Sequence, residues 1–121
     1  MKPKTKWSKE PEKKDYSAAE TYLSLVYDNK EAAKLVKKLK GADTCDFEAK
    51  DVFRASSLPL LTPTDSQVKD NHEKILAGKK ISPLLLVRHA ATGRVILADG
   101  YHRLCAVYSI DEDSVVPCKI V

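Results

Sequence analysis

The stretch "ILADGYHRLCAVYS", residues 96–109, places the end of an apolar strand directly before the start of a helix. The apolar run stops at Asp99-Gly100, and apolar residues then recur at helical spacing, which predicts a helix over Tyr101–Ile110. An acid, a glycine, an imidazole and a guanidinium therefore meet at one strand-to-helix corner.

This corner has the composition of an anion-binding site. The first amides of a helix have no acceptor inside the helix, and the helix dipole adds partial positive charge there. We expect four residues of the corner to contact phosphate groups: Gly100, Tyr101, His102 and Arg103. His102 is also a candidate catalytic residue because imidazole transfers protons near neutral pH. Asp99 is a second catalytic candidate and a candidate ligand for Mg²⁺.

A purely structural interpretation of the same residues stays open. Asp99 is equally suited to cap the helix. Arg103 is able to pair with Asp99 or with Glu112, and His102 to lie in the core with a satisfied hydrogen bond. Local chemistry alone does not decide between these roles and an anion site.

Residues 82–100, "SPLLLVRHAATGRVILADG", predict a β-hairpin. Its strands, Leu84–His89 and Arg94–Ala98, are nearly continuously apolar, so we expect a sheet that is covered on both faces. Gly93 is placed to adopt a positive φ in the turn. The final run "VVPCKIV" predicts a last strand, and Pro117 favours a position near the sheet edge.

Two amphipathic helices are predicted between residues 17 and 41. Ser17 and Glu20 have the S-x-x-E spacing of a capping box at the start of the first helix. The second helix runs from about residue 29 to Lys40 and ends at Gly41. Residues 43–50 read as a polar connection.

The segment that follows combines a short apolar run with two prolines. It predicts a short strand at Val52–Ala55 or at Leu58–Leu61. Thr64 or Asp65 then caps a third helix, which Gly78 ends.

The composition is that of a soluble globular protein with one modest core: 121 residues, 31% charged, 43% hydrophobic and a net charge of +4. Three cysteines, at positions 45, 105 and 118, include no C-x-x-C pair, which favours reduced thiols in a cytoplasmic protein. The three histidines do not have metal-ligand spacing with them, so a zinc site is not expected. No secretory signal and no apolar run that would cross a membrane is expected.

Residues 52–121 resemble the ParB/sulfiredoxin-like superfamily. The motifs "VKDNHEKI", "ISPLLLV", "RVILADGYHRLCA" and "SVVPCKIV" occur in that family's order and spacing. The resemblance implies an α+β fold over residues 51–121, with a small mixed β-sheet and surrounding helices. We expect a flexible basic arm over residues 1–15 and a helical extension over residues 16–50 to precede it.

The branches of this superfamily differ in chemistry at the corner. Sulfiredoxins have their catalytic cysteine where this chain has Tyr101, so sulfiredoxin activity is not expected. The "DGYHR" corner is closest to the "DGHHR" corner of ParB-like free-serine kinases, which use ATP or ADP, whereas ParB proteins bind CTP through a "GERR"-like corner. In sulfiredoxin-like proteins the third helix reaches the nucleotide, which makes Lys69 and Lys74 candidate phosphate ligands.

Two functions follow from these expectations. The first is a nucleotide-binding domain that grips the phosphates of ATP or CTP at the Gly100 corner, with Mg²⁺ as a candidate cofactor. Phosphotransfer or nucleotide hydrolysis would be its chemistry. The second is a non-enzymatic ParB-like module of a plasmid, phage or mobile-element system. It would bind DNA or a partner protein through the basic N-terminal region, as a monomer or a homodimer, with no membrane association.

Overall fold

The structure, a computed structural model, describes residues 2–121 and has an α+β fold with five helices and two small sheets. The helices are α1 (Lys13–Leu23), α2 (Asn29–Gly41), α3 (Ala49–Ser56), α4 (Ser66–Leu76) and α5 (Tyr101–Ile110). The strands are β1 (Lys6–Trp7), β2 (Thr44–Glu48), β3 (Lys80–Ile81), β4 (Leu84–His89), β5 (Arg94–Asp99) and β6 (Val115–Ile120). The predicted fold class, a small mixed sheet surrounded by helices, is confirmed at this level.

The main sheet has the strand order β2-β6-β4-β5. Its β2/β6 and β4/β5 pairs are antiparallel and its β4/β6 pair is parallel. β6 is thus a central strand, and the prediction that Pro117 lies near the sheet edge is wrong. The proline is tolerated because pairing with β4 begins only at Cys118, so the missing N–H falls before that ladder.

Both faces of the sheet are covered, as the apolar strands predicted. On one face, Leu85, Val87 and Ala98 pack against α1 and α2 in one buried cluster. On the other face, Leu84 and Leu86 belong to the larger cluster, which includes residues of α3, α4 and α5. The alternation along β4 sends successive leucines to opposite layers. The predicted helical extension therefore covers one face of the sheet.

The N-terminal region begins its regular structure earlier than predicted. β1 pairs in parallel with β3, and Trp7 packs against the larger core cluster. α1 starts at Lys13, inside the segment assigned to the arm, so the prediction that Ser17 caps this helix is wrong. The carboxylate of Asp15 accepts a 2.8 Å hydrogen bond from the Glu12 amide and stabilises the helix start instead.

The segment around residues 44–61 also differs from the prediction. Neither predicted strand, Val52–Ala55 or Leu58–Leu61, forms, and α3 occupies Ala49–Ser56. Its buried residues recur at helical spacing, and Ser57 ends it in the left-handed region with φ of 55°. The polar connection contains strand β2, which pairs only with β6 at the sheet edge.

The caps and turns of the C-terminal half lie where the sequence predicted them. Asp65, and not Thr64, caps α4, accepting hydrogen bonds from the amides of Gln67 at 3.0 Å and Val68 at 3.1 Å. The hairpin and α5 form at the expected positions, and Gly93 has a φ of 67°.

None of the helices within residues 2–121 combines the length and the apolar character needed to span a bilayer.

Candidate anion-binding site at the β5–α5 corner

The corner between β5 and α5 requires glycine. Gly100 is buried and has a φ of 108°, a conformation that side chains other than glycine rarely adopt. A Cβ at this position would lie 2.3 Å from Cδ2 of Leu84 and 2.9 Å from Nη2 of Arg103. The chain therefore turns here in tight contact with β4 and with its own arginine.

The first turn of α5 presents free backbone donors. Gly100 is the N-cap and supplies no side-chain acceptor. Within residues 2–121, the amides of Tyr101, His102 and Arg103 have no hydrogen-bond acceptor. The side chains of Tyr101 and His102 are partly exposed, and the Tyr101 hydroxyl donates to the Pro59 carbonyl. An anion would be able to approach this turn from solvent.

Arg103 is engaged by the protein itself. Its Nε donates to the Ser82 carbonyl at 2.9 Å, and Nη2 donates to the Pro83 carbonyl at 3.1 Å. Nη2 also donates to Oδ2 of Asp99 at 2.9 Å, and Nη1 lies 3.9 Å from Oδ1 of Asp15. Through these contacts the guanidinium connects the segment before β4 to Asp99 at the end of β5.

These contacts give Arg103 a structural role at the corner. The guanidinium is held by two carbonyls and two carboxylates through Nε, Nη1 and Nη2, and its predicted contact with phosphate stays a prediction. The pair with Asp99 is one of the structural roles left open by the sequence, whereas Glu112 is not a partner. The predicted phosphate contacts of Gly100, Tyr101 and His102 also stay predictions.

Buried Asp15 and partly buried Asp99 both pair with the guanidinium of Arg103. Asp15 is 4% exposed, and it is a functional candidate that the sequence did not single out. Burial raises the pKa of Asp99, the Arg103 charge opposes that rise, and the Asp15 charge adds to it. α1 therefore contributes the Asp15 carboxylate to the corner, and the positive charge of Lys14 acts on Asp99.

The predicted Mg²⁺ role of Asp99 rests on a single carboxylate that already has a cationic partner. No group of three or more His, Cys, Asp or Glu side chains within residues 2–121 is arranged to hold a metal ion. A metal ion at Asp99 would depend on phosphate oxygens and water for its other ligands. The catalytic roles of His102 and Asp99 stay predictions.

Lys69 and Lys74 lie exposed on α4 and take part in no ion pair within the described residues. Lys74 lines a shallow depression of about 380 Å³ with Asp70, Glu73 and Lys79, which includes no residue of the corner. Asp65, at the start of α4, acts on Tyr101 and helps to raise its pKa, after the larger effect of burial. The structure thus brings the start of α4, rather than Lys74, to the corner.

No protein-family model, no curated protein and no solved structure matches this chain. The resemblance to the ParB/sulfiredoxin-like superfamily therefore stays a prediction from the motifs.

Proposed function

We propose that the protein binds the phosphate groups of a nucleotide at the N-terminus of α5. The observation that carries this proposal is the uncapped first turn, where three consecutive amides lack an acceptor and the N-cap is a glycine. α5 has ten residues, so its dipole adds to the attraction for an anion. Partly exposed His102 adjoins these amides and supplies a ring donor to a phosphate oxygen.

Arg103 acts in this proposal as a positioning residue. Two carboxylates beside a phosphate site would repel the ligand, and the guanidinium offsets part of that repulsion. It also holds the carbonyls of Ser82 and Pro83, which keeps β4 against the corner. Arg103→Ala is therefore a poor test of phosphate contact, because it would remove the cation that Asp15 and Asp99 share.

ATP and CTP are the nucleotides proposed, with Mg²⁺ arriving as their usual companion. If the bound nucleotide reacts, as in phosphotransfer or hydrolysis, His102 in the first turn of α5 is the first proposed participant. Asp99, with its raised pKa, is the second proposed participant. Lys69 and Lys74 would contribute at most a positive field from the surface of α4.

Isothermal titration of ATP and CTP, with Mg²⁺, onto the native protein and onto His102→Glu tests the proposal. Glutamate in a first helical turn interacts favourably with the dipole, so the thermal midpoint should hold or rise. The same carboxylate repels phosphate, and we expect the affinity to fall at least about tenfold, the equivalent of about 1.4 kcal/mol.

Two matched variants serve as controls. His102→Gln keeps a neutral donor at the same position and should bind nearly as well as the native protein. Asn29→Glu places the same new charge in the first turn of α2 and should leave binding unchanged. Native protein that binds neither nucleotide, or binding that His102→Glu does not weaken, overturns the proposal.

A second candidate function, binding of DNA or a partner protein, is favoured by the surface of the N-terminal helices. Leu25 is 82% exposed, and Tyr22 and Val26 beside it are 43% and 46% exposed. On α2, exposed lysines at positions 30, 34 and 37 have the spacing of one helix face. An apolar tip next to a basic face suits a partner that offers phosphates or acidic side chains.

Fluorescence anisotropy with labelled duplex DNA separates this candidate from the first. Lys34→Glu combined with Lys37→Glu should weaken DNA binding and reduce its salt dependence, without any effect on nucleotide binding. DNA binding that is absent, or that survives both substitutions, removes DNA as the ligand of this face.

A further inference from the structure

Two of the three cysteines face each other across the β2/β6 ladder. Cys45 and Cys118 are direct partners in the antiparallel register. Opposite residues of such a pair point to the same face, with Cα atoms about 4.5–5.5 Å apart. A disulfide requires Cα atoms about 4.4–6.8 Å apart, so the backbone separation already fits.

The remaining adjustment falls on an edge strand. Opposite Cβ atoms in a sheet lie about 4.5–5.5 Å apart, and a disulfide brings them to about 3.5–4.5 Å. The required approach is on the order of 1 Å. Among the described residues β2 is an edge strand that pairs only with β6 and is largely exposed, so this approach would disturb no other strand pairing.

The two thiols have opposite environments. Cys45 is exposed, whereas Cys118 is fully buried and donates a 3.4 Å hydrogen bond from Sγ to the Val116 carbonyl. Burial, with smaller contributions from Cys45 and Asp46, raises the pKa of the Cys118 thiol to about 12. Cys118 is therefore protonated and shielded at neutral pH, and Cys45 is the thiol that a solute meets first.

We propose that Cys45 and Cys118 form a peroxide-responsive dithiol pair that closes a disulfide between β2 and β6. The Cys45 thiolate attacks one oxygen of a hydroperoxide, the O–O bond breaks, and a sulfenic acid forms at Cys45 while hydroxide leaves. The Cys118 sulfur then attacks the Cys45 sulfur, the S–O bond breaks, and the second oxygen leaves as water with the Cys118 proton. Two thiols are oxidised, and one hydrogen peroxide is reduced to two waters.

The environments set the order and the pH dependence of these steps. Oxidation begins at Cys45 because Cys118 is buried. Closure speeds up as the pH rises towards the pKa of Cys118, because the attacking group is the thiolate. The sulfenic acid at Cys45 should therefore live long enough at neutral pH to be trapped by dimedone.

The third cysteine provides an internal control. Cys105 lies in α5, is fully buried and has no cysteine opposite it. Burial raises its pKa as well, so it should stay reduced. Cys105→Ser keeps the proposed pair intact and should oxidise like the native chain.

The test treats the reduced full chain with hydrogen peroxide and follows intact mass and peptide maps. We expect a loss of two hydrogens in mass and a peptide that links Cys45 to Cys118, in the native chain and in Cys105→Ser. Cys118→Ser should give the dimedone adduct at Cys45 and no disulfide. Its serine retains a donor for the Val116 carbonyl, and exposed Cys45→Ser, whose folding is not threatened, should also lose the link.

Two results overturn the proposal. One is oxidation that only adds oxygen to Cys45 in the native chain, at neutral or alkaline pH, with no linked peptide. The other is a disulfide that joins Cys45 residues of two molecules while Cys118 stays free.

Discussion

At the scale of single residues, Gly100 is the position on which the candidate site depends most. Its positive φ and its contact with Leu84 leave no room for a side chain. The sequence indicated the turn, because a glycine stood between a strand pattern and a helix pattern. It did not indicate that the space beside the glycine is filled by Arg103, since that contact forms through tertiary packing.

Gly100→Ala should destabilise the protein by about 3 kcal/mol, from backbone strain together with overpacking against Leu84. Gly93→Ala is the matched control, because Gly93 also has a positive φ but a Cβ added there would meet nothing within 4 Å. It should cost only about 1 kcal/mol. Urea unfolding of both variants measures the difference, and equal losses would contradict the tight contact at Gly100.

The raised pKa of Asp99 predicts that the stability of the protein depends on pH. Its pKa in the folded protein is raised above the ordinary value of 3.8, so in the pH range just above 3.8 the folded state binds more protons than the unfolded state. Stability contributed by this group therefore falls as the pH rises through that range. Asp99→Asn should lack this slope when urea unfolding is followed against pH.

Asp113 supplies the opposite sign as a control. Lys50 holds the pKa of Asp113 below its ordinary value, so this group contributes stability that is lost as the pH falls below 3.8. Asp113→Asn should remove that loss at low pH and leave the Asp99 slope in place. A wild-type slope that survives Asp99→Asn would show that Asp99 is not the source.

At the scale of elements, Asp65 and Thr64 are the two residues that the sequence offered as the cap of α4. Asp65→Ala should lower the free energy of unfolding by about 1 kcal/mol, because it removes the acceptor for the amides of Gln67 and Val68. Thr64→Ala should change stability by only a few tenths of a kcal/mol, because within residues 2–121 its hydroxyl is hydrogen-bonded only to that of Thr62. Thermal unfolding of the two variants compares them, and a larger loss at Thr64 would assign the cap to the other residue.

Elements with strong local patterns were predictable from the sequence. The hairpin and α5 follow from apolar runs separated by Gly93 and Gly100, whose backbone requirements are local. β2 and α3 were missed because their identity depends on distant partners. β2 is exposed and forms only by pairing with β6, and α3 is a single short amphipathic helix whose apolar face packs on the sheet.

The same distinction applies to the candidate site. The corner residues are consecutive in the chain, so the sequence placed Gly100 and His102 together. Asp15 joins them only because α1 packs against β5, and nothing in the neighbourhood of residue 15 indicates that contact. Most partners of Arg103 were not predictable for the same reason, since they come from α1, β5 and the segment before β4.

At the scale of the whole molecule, the N-terminal helices and the sheet share one buried cluster. Ala19, Leu23 and Leu39 of the helices pack with Leu85 and Val87 of β4. A fragment beginning at Asp43 would expose that face of the sheet to water. We expect it to lack cooperative thermal unfolding and to bind an apolar dye, whereas the full chain should unfold cooperatively. A cooperatively folded fragment would show that α1 and α2 are a separable extension.

The proposed function depends on the binding of phosphate groups at the uncapped start of α5. The most direct measurement is a titration of ¹⁵N-labelled protein with ATP and with CTP, in the presence of Mg²⁺, followed by amide NMR shifts. We expect saturable shifts that are largest at the amides of Tyr101, His102 and Arg103. No saturable shifts, or shifts centred on α1 and α2 with these three amides unchanged, would contradict it.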